Sequence, residues 1–224
     1  MIQFADFIKR DLHESISAVD VHNRTKFLVQ SIYTHYADFY SKNQPEAVGW
    51  MDGSENALIR NTKIYEAGIE DNDSVLDIGW GVAHLNTYLK NQGWTGKYLG
   101  VDPNKKAIDV IDENINTIHG TIEDLDDTKY DWVIANGVFN LGLTEKLTFS
   151  IIHNMIHRAK KGIVFNMLQH PYSSIPLEDH ENINYESYQP NYVKNKLLKY
   201  EHNRIEITRN YMKDDTEFTV YFYV

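Results

Sequence analysis

The sequence predicts an α/β domain built on a mostly parallel sheet with an antiparallel end. From residue 74 onward, short apolar runs alternate with amphipathic stretches, the grammar of a parallel sheet covered on both faces. The last two strand-like runs follow each other with no helix between them, which reads as an antiparallel hairpin. Gly79 and Gly81, close behind the first apolar run, mark a strand-to-helix turn suited to receiving a ligand.

The elements follow in order. "FADFIKRDLHES" and "RTKFLVQSIYTHYADFYSK" carry apolar residues at three- and four-residue spacing and predict helices. "SKNQPEAVGWMDGS" breaks them with Pro45, Gly49 and Gly53, so it is a loop. "SENALIRNTKIYEAGI" resumes a helix with Ser54 as its N-cap. Strand "SVLDIG" then precedes helix "HLNTYLKNQG", and strand "KYLGVD" precedes helix "NKKAIDVIDENI". After "NTIHG" come strand "YDWVIANG", helix "LTEKLTFSIIHNMIHRAKKG" and strand "IVFNML". "NRIEITRNYM" and "EFTVYFYV", joined by "KDDT", form the hairpin. The expected arrangement is one domain over 1–224: a helical cover over 1–70 and an α/β core over 74–224.

Composition narrows the class. A chain of 224 residues with 42% hydrophobic residues can bury a full core. Its formal net charge of −10 argues against a broad nucleic-acid footprint, which needs clustered Lys and Arg. With no cysteine, neither disulfides nor thiolate metal sites are available. The first residues do not read as a signal peptide, and no apolar run approaches the roughly 20 residues that span a bilayer. The expectation is a cytoplasmic protein without a membrane partner. The acidic run "EDLDD" (123–127) reads as a solvated loop.

The glycine loop carries the chemistry. Asp77 ends the first strand, and the helix beyond Gly79 and Gly81 offers unpaired N–H groups at the positive end of its dipole. Asp102 lies 21 residues past Gly81, at the tip of the next strand, where an acid can accept two ribose hydroxyls. The competing reading is a turn that only packs, with Asp102 capping the helix that starts at Pro103-Asn104. Nicotinamide and S-adenosylmethionine binders share these signals. The dinucleotide fingerprint is G-x-G-x-x-G, whereas this loop is D-I-G-W-G-V-A.

At this point the chain resembles the class I S-adenosylmethionine-dependent methyltransferases. "VLDIGWGVAHL" is similar to their first motif, "YLGVD" to the ribose-binding strand, "HGTIEDL" to the adenine-side segment and "YDWVIANGVFN" to the fourth motif. "VGWMDGSENALIR", "GVFN", "KKGIVFN" and "DDTEFTVYFYV" bring it closer to a subgroup of small bacterial and phage methyltransferases. The resemblance runs from about Val48 to Val224 and implies a Rossmann-like fold with a seven-stranded sheet. It also implies S-adenosylmethionine as cofactor, with S-adenosylhomocysteine as product. Carried over, it sets Asp77, Gly79, Trp80 and Gly81 around the methionine part and Asp102 with Pro103 at the ribose. Thr121 and Ile122 fall at the adenine, and Asn136 and Gly137 near the transferred methyl. Arg60 is a candidate for the cofactor carboxylate, against a solvated place on its helix.

Three residues depart from the family pattern. Trp80 replaces the small residue between the glycines, Ala83 stands where a third glycine is expected, and Thr121 where an aspartate is common. The two glycines let the turn form whatever lies between them. Trp80 is therefore expected to pack toward the N-terminal cover and the "VGWMDGS" loop, narrowing the methionine end of the cleft.

Methyl transfer needs alignment and exclusion of water, and a base only where the acceptor must lose a proton. Candidates for that base are His84, His170 and Tyr172, each weighed against an ordinary surface or hydrogen-bonded place. Trp50, Tyr36, Tyr40, Phe139, Tyr172, Tyr188 and Tyr192 are candidates for an apolar acceptor pocket, against packing in the core and cover. His153 and His157 stand one helical turn apart, but without H-E-x-x-H they read as a helix face rather than a metal pair.

The expected acceptor is a small molecule, chosen by elimination. No N/D-P-P-Y/F follows the fourth strand, where "ANGVFN" stands instead. Two alternatives stay open: a protein of this fold with weak or lost cofactor binding, and a protein or nucleic-acid methyltransferase.

Overall fold

The computed structural model describes residues 53–105, 114–140, 143–169, 187–212 and 216–224. The helices expected before residue 53, and most of the one expected from Asn104, lie outside the described residues.

Helix α1 (Gly53–Tyr65) leads into strand β1 (Val75–Ile78), helix α2 (His84–Asn91) and strand β2 (Tyr98–Asp102). Strand β3 (Thr117–His119) and a 3-10 turn (Ile122–Asp124) precede strand β4 (Tyr130–Ala135). Helix α3 (Glu145–Arg158) and strand β5 (Ala159–Gln169) follow, then strand β6 (Ser187–Tyr188) and helix α4 (Pro190–Leu197). Strands β7 (Arg204–Thr208) and β8 (Glu217–Tyr223) close the chain.

The sheet runs β3-β2-β1-β4-β5-β8-β7, with the two-residue β6 paired beside β5. Strands β1 to β5 pair in parallel, and β8 pairs antiparallel to both β5 and β7. This is the expected Rossmann-like sheet with its antiparallel end supplied by the last strand, but it has eight strands rather than seven, because the short β6 adds to β5. Strand order reverses between β1 and β4, so the loops after these two strands flank the crevice where such sheets bind ligands.

Each face of the sheet has its own core. Leu76, Val133, Ile163, Phe165 and Phe222 pack with Ile152 and Met155 of α3 on one face. Val75, Trp132, Ile134, Val164 and Tyr221 pack with Ile64 of α1 and Leu89 of α2 on the other. Alternation along each strand divides its residues between the two layers.

Two boundaries differ from expectation. The strand after α3 begins at Ala159, so "AKKG" belongs to β5 rather than to the helix. Gly162 explains why, since a Cβ there would meet the Phe222 carbonyl oxygen at 2.5 Å; the backbones of β5 and β8 are already in close contact. The segment "PNYVKNKL" forms α4, started by Pro190 at its N-terminal turn, where a missing N–H costs nothing.

Candidate functional site

A cavity opens at the carboxyl ends of β1, β2 and β4. It is lined by Asp77, Gly79, Trp80, Gly81, Asp102, Pro103, Thr121, Ile122 and Asn136, with His84 and Leu85 from the first turn of α2. Nine of the eleven residues carried over as cofactor contacts therefore share one depression. Val138, Leu143 and Ile151 add apolar wall that the sequence reading did not include.

The loop after β1 is shaped by its backbone. Gly79, Gly81 and Ala83 all take positive φ, at 67°, 56° and 61°. Gly79 must remain glycine for a second reason, because a Cβ there would lie 2.6 Å from Val138 Cγ2 in the facing loop. Ala83 holds a left-handed conformation that glycine would occupy without strain, and it offers no side-chain cap to α2. The loop is tied down by Gly79 N–H to the Val101 carbonyl (2.8 Å) and by Gly81 N–H to Asp102 Oδ2 (3.0 Å).

Asp102 has two jobs here. Its Oδ1 accepts the Asn104 N–H at 2.7 Å, so the helix-start capping weighed against a ribose role is present. Each carboxylate oxygen has a further lone pair, and the side chain still lines the cavity. Burial raises its pKa to about 6, against the lowering effect of the two amides. Asp77 is buried beside it and rises to about 7, mainly by burial, despite the Tyr98 hydroxyl that donates to its Oδ2 at 2.6 Å.

Trp80 packs against the sheet, while the N-terminal cover and nearly all of the "VGWMDGS" loop, toward which it was expected to turn, lie outside the described residues. Its indole is buried over β2, and a Cβ on Gly100 would stand 2.7 Å from its Cγ. Gly100 lacks a side chain on the face where the loop returns, and the ring occupies that space. The ring therefore has a specific seat in the fold, beyond the freedom that the two glycines give the turn. Among the described residues neither its buried Nε1 nor the buried Asn136 Oδ1 has a hydrogen-bond partner.

At Thr121 the hydroxyl caps the 3-10 turn while Asp124 Oδ2 accepts the Thr121 N–H (2.8 Å). The flanking Glu123, Asp126 and Asp127 are exposed.

The loop after β4 is held by side chains. Strand β4 ends at Ala135 beside Phe165, while β5 continues to Gln169, so an overhang of β5 backs the loop. Asn166 Oδ1 accepts the Gly137 N–H at 2.6 Å, and Asn140 Oδ1 accepts the Leu168 N–H at 3.0 Å. Asn136 Nδ2 donates to Asn61 Oδ1 of α1 at 3.0 Å. Asn61, Asn140, Asn166 and Tyr98 carried no role in the sequence reading. Asn140 and Asn166 stood inside "GVFN" and "VFN", where their position after apolar strand ends was the available signal.

Several expectations need correction. Arg60 does not line the cavity: it is buried and its Nε lies 3.0 Å from each carboxylate oxygen of Glu217, which also overturns a solvated place. Gly137 stands behind the wall with its N–H committed to Asn166. Phe139 is fully buried edge-on against Phe165 at 5.4 Å, a core contact rather than a pocket wall. Tyr188 bonds Thr148 of α3 and Tyr192 sits on α4 near Glu145, so both brace α3 away from the cavity. Trp50, Tyr36, Tyr40, His170 and Tyr172 lie outside the described residues. His153 and His157 bring their Nε2 atoms to 3.1 Å on an exposed helix face.

Comparison with known proteins agrees with the geometry. Residues 76–149 match a family model described as a methyltransferase domain. An S-adenosylmethionine-dependent methyltransferase from Archaeoglobus fulgidus is similar, with a TM-score of 0.61 and 16% identity over 77% of this chain and 96% of that one. The 1,6-didemethyltoxoflavin-N1-methyltransferase of Burkholderia thailandensis, solved with 1,6-didemethyltoxoflavin and S-adenosylhomocysteine, gives 0.63 at 16% identity over 95% and 92%. Phosphoethanolamine N-methyltransferase 1 of Haemonchus contortus, solved with phosphoethanolamine and S-adenosylhomocysteine, gives 0.65 at 16% over 89% and 49%. No curated protein matches the chain by sequence. Residues 76–149 thus match a methyltransferase-domain model, and the chain shares the fold of these S-adenosylmethionine-dependent methyltransferases. No helix among the described residues is long and apolar enough to cross a membrane.

Proposed function

We propose that the protein transfers a methyl group from S-adenosylmethionine to a small-molecule acceptor. One observation carries the reading: the loop after β1, the acid at the tip of β2, the 120–122 turn and Asn136 all border a single cavity at the point where strand order reverses. The residues suit this cofactor. Asp102 offers free lone pairs for ribose hydroxyls, and Ile122 and Val101 offer an apolar bed for adenine. Asn136 brings an unpaired buried carbonyl oxygen to the methionine end, where an ammonium group needs acceptors.

Bound there, the cofactor supplies an electrophilic methyl group on a sulfonium. The protein's own contribution is orientation and a dry wall: Val138, Leu143 and Ile151 exclude water, and the two fastened loops limit movement. His84 lines the same cavity and is the described residue best placed to take a proton from an acceptor.

A small acceptor is supported by the net charge of −10, which repels nucleic acid, and by the small molecules named with two of the similar structures. Seating Trp80 on Gly100, against the sheet, supports competence to bind over a lost site. Calorimetry with S-adenosylmethionine and S-adenosylhomocysteine tests the cofactor: one-to-one binding of both is expected, and no heat with either refutes it. Methyl-labelled cofactor with small-molecule, protein and nucleic-acid fractions tests the acceptor, with label expected in the small-molecule fraction only.

A further inference from the structure

A buried polar chain crosses four elements behind the cavity. Arg60 of α1 pairs through Nε with both oxygens of Glu217 at the start of β8. Glu217 Oε2 accepts from Asn166 Nδ2 of β5 at 3.2 Å, and Asn166 Oδ1 accepts the Gly137 N–H at 2.6 Å. Exposure is 7% at Arg60, 2% at Asn166 and 1% at Glu217. A desolvated ion pair of this kind is weak evidence of stability, since apolar residues of similar volume commonly serve as well. Its presence here calls for another explanation.

We propose that Arg60, Glu217 and Asn166 are positioning residues that set the loop after β4 for cofactor binding. This rests on the cofactor reading above. The argument is one of hydrogen-bond polarity. An ionised carboxylate only accepts, so Glu217 admits Asn166 in one orientation, amide nitrogen toward itself and amide oxygen toward Gly137. Flipped, Asn166 would set its oxygen against the carboxylate and two N–H groups against each other at Gly137. Arg60 holds Glu217 in place through the paired contact of its guanidinium. Gly137 turns the chain at a φ of 76°, and the Asn166 amide oxygen accepts its N–H at that turn. Asn136, the preceding residue, then presents its side chain to the cavity while its Nδ2 is held by Asn61, the neighbour of Arg60 on α1. One helix thereby holds the cavity wall directly through Asn61, and from behind through Arg60.

The test separates positioning from stability. The double variant Arg60→Met/Glu217→Leu replaces the ion pair with apolar volume and is expected to keep its Tm. Its affinity for S-adenosylhomocysteine should fall about tenfold, as coupled contacts lose their geometry. Asn166→Ala should fall by a similar factor, and adding it to the double variant should cost nothing more, because the relay is already broken. Should the double variant unfold, Glu217→Asp and Asn166→Ala provide the same reading, with part of that roughly tenfold fall and the whole of it respectively. Wild-type affinity in a stable double variant, or fully additive losses, overturns the proposal. If the wild type binds no S-adenosylhomocysteine, the cofactor reading is what fails. Hydrogen exchange at the Gly137 amide then decides the relay alone: faster exchange in Asn166→Ala and in the double variant supports it, and unchanged exchange overturns it.

Discussion

The two loops that face each other across the cavity are held by opposite means. The loop after β1 takes its shape from its backbone, with three alternate residues at positive φ, a strand-edge amide bond and one carboxylate, and it seats the Trp80 ring on Gly100. Among the described residues of the loop after β4 only Gly137 takes positive φ, and the loop is fastened by the amide side chains of Asn136, Asn140 and Asn166. They meet at Gly79 and Val138. A loop shaped by its own glycines can be read locally. A loop shaped by partners 29 and 75 residues away in sequence cannot.

The largest test of the first loop is Trp80→Ala. Removing a buried indole from its seat on Gly100 should cost about 3–5 kcal/mol of stability in a denaturant titration. A loss below about 1 kcal/mol would mean that the loop holds itself and the ring is a passenger.

Next is Asp102→Ala, which strands the Gly81 and Asn104 amides as well as any ribose hydroxyls. Affinity for S-adenosylhomocysteine should weaken by about 2–4 kcal/mol by calorimetry. Unchanged affinity would leave Asp102 as a cap and nothing more.

Proton linkage probes the same loop. Asp77 rises from 3.8 to about 7 on folding, so between those values the folded state holds a proton that the unfolded state has released. Its contribution to stability is full below pH 3.8 and is lost as pH rises through about 7. Asp77→Asn should remove that part of the pH dependence, read as Tm across the window; parallel curves would contradict the burial of this carboxylate.

On the second loop, Asn140→Ala leaves the Leu168 N–H without its acceptor and should cost about 1–3 kcal/mol. The effect on cofactor affinity should be smaller than that of Asn166→Ala, because Asn140 lies farther along the loop from Asn136. Equal effects would erase the distinction between bracing the loop and aiming it.

The smallest expected effect is a gain. Ala83→Gly relieves a left-handed alanine that costs about 1–2 kcal/mol, offset by the added freedom of glycine in the unfolded chain. A net stabilisation of up to about 1 kcal/mol is expected, and a clear loss would place Ala83's methyl group in useful packing.

Local pattern alone determined the strand and helix succession from residue 74, the antiparallel end, the glycine turn and the acid at position 102. These depend on periodicity and backbone freedom, which neighbouring residues carry within a few positions. The tertiary structure decided the rest. It placed Trp80 on Gly100, because the room for an indole depends on a missing Cβ in the next strand. It turned Arg60 from the cavity to Glu217, since a buried guanidinium takes whichever carboxylate the sheet brings to it, here 157 residues away in sequence. It also made wall braces of Asn61 and Asn166, because an asparagine's role depends on the amide that folding places opposite it.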